Sequence, residues 1–258
     1  MIYVNGDSHS AGADIIPGIC FAQDDPRYLA YGRRAHPEAI LQTYGYHVAQ
    51  AFNQGFFCEA ESGSSNDRIL RTTKQYVDET KDKKSIGYII VGWTSWEREE
   101  WKHGEDFVQI SAGGTDSVLE SMEEEYKEWV LKQTPEEHKH KEQLWYDRIW
   151  NFHCELKEQN IRHIFFNTTQ NFNDNRDWNI NFIPIPFCEW AAKQGFRTIE
   201  NSNHYGADAH RAWGKYLTSV AVKHYQAAGF GDNAKHLTQP ERRSIITQVK
   251  QEFKGLRN

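Results

Sequence analysis

The chain has 258 residues and a formal net charge of −6; 38% of its residues are hydrophobic and 26% are charged. No run approaches eighteen consecutive apolar residues, so the sequence carries no helical membrane span. The acidic balance argues against a nucleic-acid surface, which needs clustered Lys and Arg.

The chain opens Met-Ile-Tyr-Val-Asn-Gly-Asp-Ser, without a basic n-region or an apolar h-region. No secretory signal is read there, and a cytoplasmic location is expected. Cys20, Cys58, Cys154 and Cys188 stand far apart with no C-x-x-C pair. Free, mostly buried thiols in a reducing compartment are expected.

Residues 1–5 form an apolar run and predict a first strand, followed by a tight turn at Asn5-Gly6-Asp7-Ser8. Residues 11–35 look irregular. From Pro37 the spacing of Ile40, Leu41, Tyr44, His47, Val48 and Phe52 predicts helix. Phe56-Phe57-Cys58-Glu59-Ala60 predicts a second strand. The polar turn from Ser62 to Asp67 then leads into a helix with Ile69, Leu70, Thr73, Tyr76 and Val77 on its apolar face. The near-continuous apolar run from Ile86 to Trp93 fits a strand buried on both faces of a parallel sheet.

Residues 94–118 interrupt the alternation and read as a long loop or hairpin. Residues 117–158 are helical in composition, with a break near Pro135. A fourth strand is expected from Ile161 to Asn167, and a short helix from Phe187 to Lys193. A fifth strand is expected from Phe196 to Ile199, and helices at about 207–227 and 240–254. This alternation implies βαβ units. The expected fold is α/β: a three-layer α/β/α sandwich with a central, mostly parallel five-stranded sheet. One domain is expected over residues 1–258, with the insertion at about 94–118 and a C-terminal helical extension at about 228–258.

In such sheets the site lies at the carboxyl ends of the strands. Ser8 stands there, directly after strand one. A serine becomes a useful nucleophile only when a base takes its proton. His204 follows the last expected strand and precedes a helix, which suits a base facing Ser8. His210, with Asp208 nearby, is the rival base. The turn after strand two offers the amide of Gly63, which together with that of Ser8 could bind an oxyanion, with Asn66 donating a third hydrogen bond. Ser64, Ser65 and Asn66 serve equally well as N-caps for the following helix. His103, His138 and His140 lie in charged segments without metal-ligand spacing, so no metal is expected. Neither G-x-G-x-x-G nor G-x-x-x-x-G-K-[ST] occurs, so a nucleotide- or flavin-binding domain ranks last and no cofactor is expected.

Together these blocks resemble the SGNH (GDSL-like) hydrolases. Gly6-Asp7-Ser8 is similar to the family's first block, and Gly63 in its Gly-x-Ser-Asn turn to the second. The stretch from His204 to Trp213 is similar to the last block. Gly92-Trp93-Thr94 with Arg98 resembles a variant of bacteriophage and bacterial members. The resemblance runs from residue 1 to about 217. It implies a flavodoxin-like sandwich and a serine esterase with Ser8 as nucleophile, His204 as base, and oxyanion donors from Ser8, Gly63 and an asparagine.

The chain departs from the family in three places. Thr94 stands where the third block has asparagine, so Asn66 or Thr94 would donate. Asn201 stands three before His204, where the family has aspartate; Asp7, Glu200 or Asn201 are the candidates to orient the base. Tyr205 replaces the usual proline.

The substrate expected is a small acyl ester, with acetyl on a carbohydrate favoured by family habit and by Trp93, Trp96, Trp101 and Trp178 near the site; the same rings would equally pack the loop against the body. Trp93, Trp96 and Arg98 are the substrate-binding candidates. The alternative is a catalytically impaired SGNH fold that binds glycan or serves as a phage structural or assembly protein. A phage origin would place the protein in the host cytoplasm or the virion.

Overall fold

The structure, a computed structural model, describes residues 1–16, 34–112, 120–170, 176–178 and 181–227. The strands are β1 (Ile2–Gly6), β2 (Phe56–Cys58), β3 (Tyr88–Trp93), β4 (Glu99–His103), β5 (Asp106–Ile110), β6 (His163–Asn167) and β7 (Phe182–Ile183). The α-helices are α1 (Ser8–Ala11), α2 (Pro37–Ile40), α3 (Tyr44–Ala51), α4 (Asn66–Glu79), α5 (Glu123–Leu131), α6 (Pro135–Glu158), α7 (Phe187–Lys193) and α8 (Ala207–Ala227).

Five strands make one sheet in the order β2-β1-β3-β6-β7, and every neighbouring pair is parallel. Period-two alternation sends successive side chains to opposite faces, and both faces are covered. Ile2, Val4, Tyr88, Ile90, Ile164 and Phe166 pack on one side with Tyr44, Val48, Phe187, Trp213 and Leu217 of α3, α7 and α8. Tyr3, Ile89, Val91, Trp93 and Phe165 pack on the other with Ile69 and Val77 of α4 and Ile149, Phe152 and Leu156 of α6. The molecule is thus an α/β/α sandwich around a parallel sheet, as expected.

The fifth strand lies elsewhere than the sequence reading put it. Phe182–Ile183 pairs with Phe165–Phe166, whereas in the 196–199 stretch Thr198 bridges to Tyr205. Phe196 packs on the core beside Trp190. The run from Pro37 divides into α2 and α3, and the break at Pro135 separates α5 from α6. Within 94–118 there is an antiparallel hairpin, β4–β5. The helix expected at 240–254 and the extension at 228–258 lie outside the described residues. Cys58, Cys154 and Cys188 are free thiols. Among the described residues, no helix is long and apolar enough to cross a membrane.

The chain runs from β1 outward to β2, then returns across β1 to β3. The order therefore reverses between β1 and β3, and the crevice beyond their carboxyl ends is where such sheets bind ligands.

Candidate active site

Ser8 opens α1 directly beyond β1. Gly6 shapes the approach with φ +154; an added Cβ would stand 2.0 Å from Ser10 Oγ and 2.7 Å from the Gly92 carbonyl. Only glycine fits that turn. Asp7 caps α1 by accepting the His9 amide at 3.0 Å.

His204 Nε2 lies 2.8 Å from Ser8 Oγ. Its other nitrogen, Nδ1, lies 2.7 Å from Asp14 Oδ2. A serine, a histidine and an aspartate thus form one hydrogen-bonded chain. Ser202 braces it: its hydroxyl donates to Asp14 Oδ2 at 2.6 Å and accepts the His204 amide at 3.0 Å. The His204 loop is a tight turn, with the Ile199 amide donating to the His204 carbonyl at 2.8 Å and Asn201 at φ 60. Asp14 also sits at positive φ, 59°, beyond the left-handed Gly12 that ends α1. That conformation is one aspartate tolerates better than most residues.

The sequence reading missed Asp14. Of its three candidates, Glu200 and Asn201 are exposed. Asp7 is buried and serves a different network. Its Oδ2 accepts the hydroxyls of Thr94 and Thr168, each at 2.8 Å. One carboxylate therefore ties together the ends of β1, β3 and β6. Burial pushes its pKa up, but His9, Arg98 and the two threonine hydroxyls prevail and hold it below the usual carboxylate range.

His210, the rival base, belongs to the core. It stacks flat on Tyr44, with ring centroids 5.5 Å apart, and burial pushes its pKa down to about 3. Its Nδ1 accepts the Tyr44 amide at 3.4 Å. His9, which the sequence reading passed over, packs edge-on against His204 at 4.8 Å. Burial drives its pKa down despite the attraction of Asp7. Cys188 Sγ stands 3.7 Å from both His9 ring nitrogens, and burial raises that thiol to about 12, leaving it protonated.

The expected oxyanion donors divide into two sets. Gly63, partly exposed with φ +75, lies in the turn that the Glu61 amide ties to the Gly6 carbonyl at 3.2 Å. Asn66 and Thr94 lie behind the surface, at 0% and 2% exposure. Asn66 Nδ2 donates to the Thr94 carbonyl at 3.0 Å, and Asn66 Oδ1 accepts the Thr94 amide at 2.9 Å. The Thr94 hydroxyl goes to Asp7. These two residues lock the β2 and β3 turns together and present no atom to a ligand.

Trp93 does not face the site either. It is fully buried and packs edge-on against Phe152 and Phe165. Trp178 is buried beside Trp150, and Trp101 packs on Trp129. Trp96 packs in part against the same core as Trp93. Arg98 does reach the site: its Nη1 donates to Thr94 Oγ1 at 3.1 Å and lies 3.9 Å from Asp7 Oδ2.

Among the described residues, no group of three or more His, Cys, Asp or Glu side chains is placed to hold a metal ion. No protein-family model matches the chain, and no curated protein matches it.

Proposed function

We propose that this chain is a serine ester hydrolase whose nucleophile is Ser8, base His204 and orienting acid Asp14. The observation that carries the reading is the unbroken chain from Ser8 Oγ through both His204 nitrogens to Asp14 Oδ2. In the neutral imidazole only one nitrogen bears hydrogen. Asp14 accepts from Nδ1 and so fixes the tautomer, leaving Nε2 as the acceptor for the serine proton.

Ser8 Oγ attacks an ester carbonyl as His204 takes its proton. The resulting imidazolium sits against Asp14, which stabilises the charge. The amides of Ser8 and Gly63 are the backbone donors this reading assigns to the carbonyl oxygen as it becomes anionic. His204 returns the proton to the leaving alcohol, and the acyl group stays on Ser8. Water then enters, loses a proton to His204, attacks the acyl carbon and releases the acid, restoring Ser8.

The substrate is a small acyl ester; a carbohydrate alcohol is the class the SGNH resemblance favours. The competing reading, a catalytically impaired binding or assembly protein, drew on the missing block-three asparagine and the missing aspartate three before His204. Asp14 fills the aspartate's post, which favours the hydrolase.

The test is hydrolysis of 4-nitrophenyl acetate together with labelling by a fluorophosphonate. Wild type should turn over the ester and take the label at Ser8, and Ser8→Ala should lose both. A wild type that neither hydrolyses an acyl ester nor takes the label removes the proposal.

A further inference from the structure

We propose that Arg98 is a catalytic residue, its guanidinium supplying the third oxyanion donor in place of the block-three asparagine. This deepens the hydrolase reading and rests on it.

Elimination supplies the first argument. Asn66 and Thr94 are the side chains expected to donate, and both are closed off and committed to each other or to Asp7. A residue inaccessible to water cannot touch a substrate oxygen without rearrangement. Arg98 keeps 31% of its side chain exposed on the same threonine.

Position supplies the second. Arg98 Nη1 also donates to the Ser64 carbonyl at 3.4 Å, beside Gly63. The guanidinium therefore bridges the turn that carries Gly63, the end of β3, and the Asp7 that precedes Ser8. These are the carboxyl ends of β1, β2 and β3, neighbours in the sheet at the edge where Ser8 stands.

Charge supplies the third. Residues 97–100 read Glu-Arg-Glu-Glu. Glu97 meets His138 at 3.4 Å, Glu99 meets Lys141 at 2.7 Å, and Glu100 meets Arg71 through two 2.7 Å hydrogen bonds. Arg98 has no carboxylate within hydrogen-bond distance among the described residues. Its nearest, Asp7, is already satisfied by two hydroxyls and an amide. Nε and Nη2 of Arg98 make no hydrogen bond to any described residue, so a donor edge remains for a ligand. The hairpin beginning at Glu99 is clamped by the Lys141 and Arg71 pairs, which fixes where Arg98 starts. Donors held in place before charge develops are what lowers such a barrier.

In the step concerned, the Ser8 Oγ–carbon bond forms, the carbonyl π electrons move to oxygen, and the serine proton goes to His204. Arg98 donates a hydrogen bond to that oxygen and keeps its own protons. The interaction strengthens in the transition state, so its loss belongs in kcat.

The experiment is steady-state hydrolysis of neutral 4-nitrophenyl acetate by wild type, Arg98→Ala and Arg98→Lys, with thermal melts as the fold control. Arg98→Ala should lose roughly 10²–10³-fold in kcat with KM little changed, the range for one oxyanion donor. Added guanidinium chloride, at concentrations below those that unfold the protein, should restore part of the alanine variant's rate and leave wild type unaffected. Arg98→Lys should fall between. If Arg98→Ala folds and keeps its kcat, the proposal fails. It also fails if the loss lies in KM for anionic esters alone, which would make Arg98 a substrate-charge anchor. Should Arg98→Ala and Arg98→Lys fail to fold, a folded Arg98→Gln that is slowed in kcat supports it, and no folded Arg98 variant at all overturns it in favour of a structural role. A wild type without activity removes the hydrolase reading as well, and is recognised by absent labelling at Ser8.

Discussion

At the residue scale, the third member of the proposed triad carries the plainest prediction. Asp14→Asn keeps size and hydrogen bonding but offers a neutral amide to His204 Nδ1. The imidazolium loses its counter-charge, and the tautomer with hydrogen on Nε2 becomes accessible. We expect kcat to fall by about 10³–10⁴-fold, in line with the same exchange in other triads, measured on 4-nitrophenyl acetate. Asn201→Asp, at the family's usual position, should leave the rate within a few-fold, because residue 201 is exposed and Asp14 already holds the nitrogen. If Asn201→Asp rescues Asp14→Asn fully, the assignment of Asp14 is wrong. Ser8 and His204 were legible because each follows an expected strand at the right edge. Asp14 was not: it lies in an irregular stretch, and its carboxylate meets His204 from a residue in a left-handed conformation. The only signal in the sequence was an acid six positions after the nucleophile.

At the element scale, long apolar runs told the truth and short ones did not. β1, β3 and β6 are runs of buried aliphatic and aromatic side chains, and the reading placed them within a residue or two. β7 has two residues and stands before Pro184, too short for any period to appear. The Phe196–Ile199 run looked like a strand because Phe196 and Ile199 are apolar, but that segment turns back toward Tyr205 to present His204. Tryptophans misled in the same way. Composition could not tell a ring that packs from one that stacks on a ligand, and Trp93 and Trp178 pack. α8 sits on the sheet through Trp213, which meets Phe166, Phe187, Trp190 and Tyr216. Trp213→Ala should cost about 3–5 kcal/mol, read as a lowered urea midpoint. A smaller loss would mean that α8 is held mainly by other contacts. The close approach of α3 and α8 leaves no room at Gly214, where a Cβ would stand 2.8 Å from His47 Cβ and 2.9 Å from the Tyr44 carbonyl.

At the scale of the whole molecule, buried imidazoles set the acid limit. His153 Nδ1 meets His163 Nε2 at 2.7 Å on one face of the sheet, and His210 lies under α3 on the other. Burial holds His153 down to about 4 and His210 down to about 3. In the unfolded chain each takes a proton near pH 6.5. Below that pH the unfolded state binds more protons, so the folded state weakens as pH falls from about 6.5 toward 4. The melting temperature should therefore decline across that window, and His210→Phe should make the decline shallower. A melting temperature unchanged between pH 7 and 5 would contradict this account.

Ser8 opens one short helix and Asp14 follows it, six positions on in the chain, and only His204 arrives from afar. Assembly of the reactive trio is consequently one docking event. On the proposed mechanism, lifting the 199–205 turn would part His204 from Ser8 and Asp14 at once, and reseating it would restore both contacts.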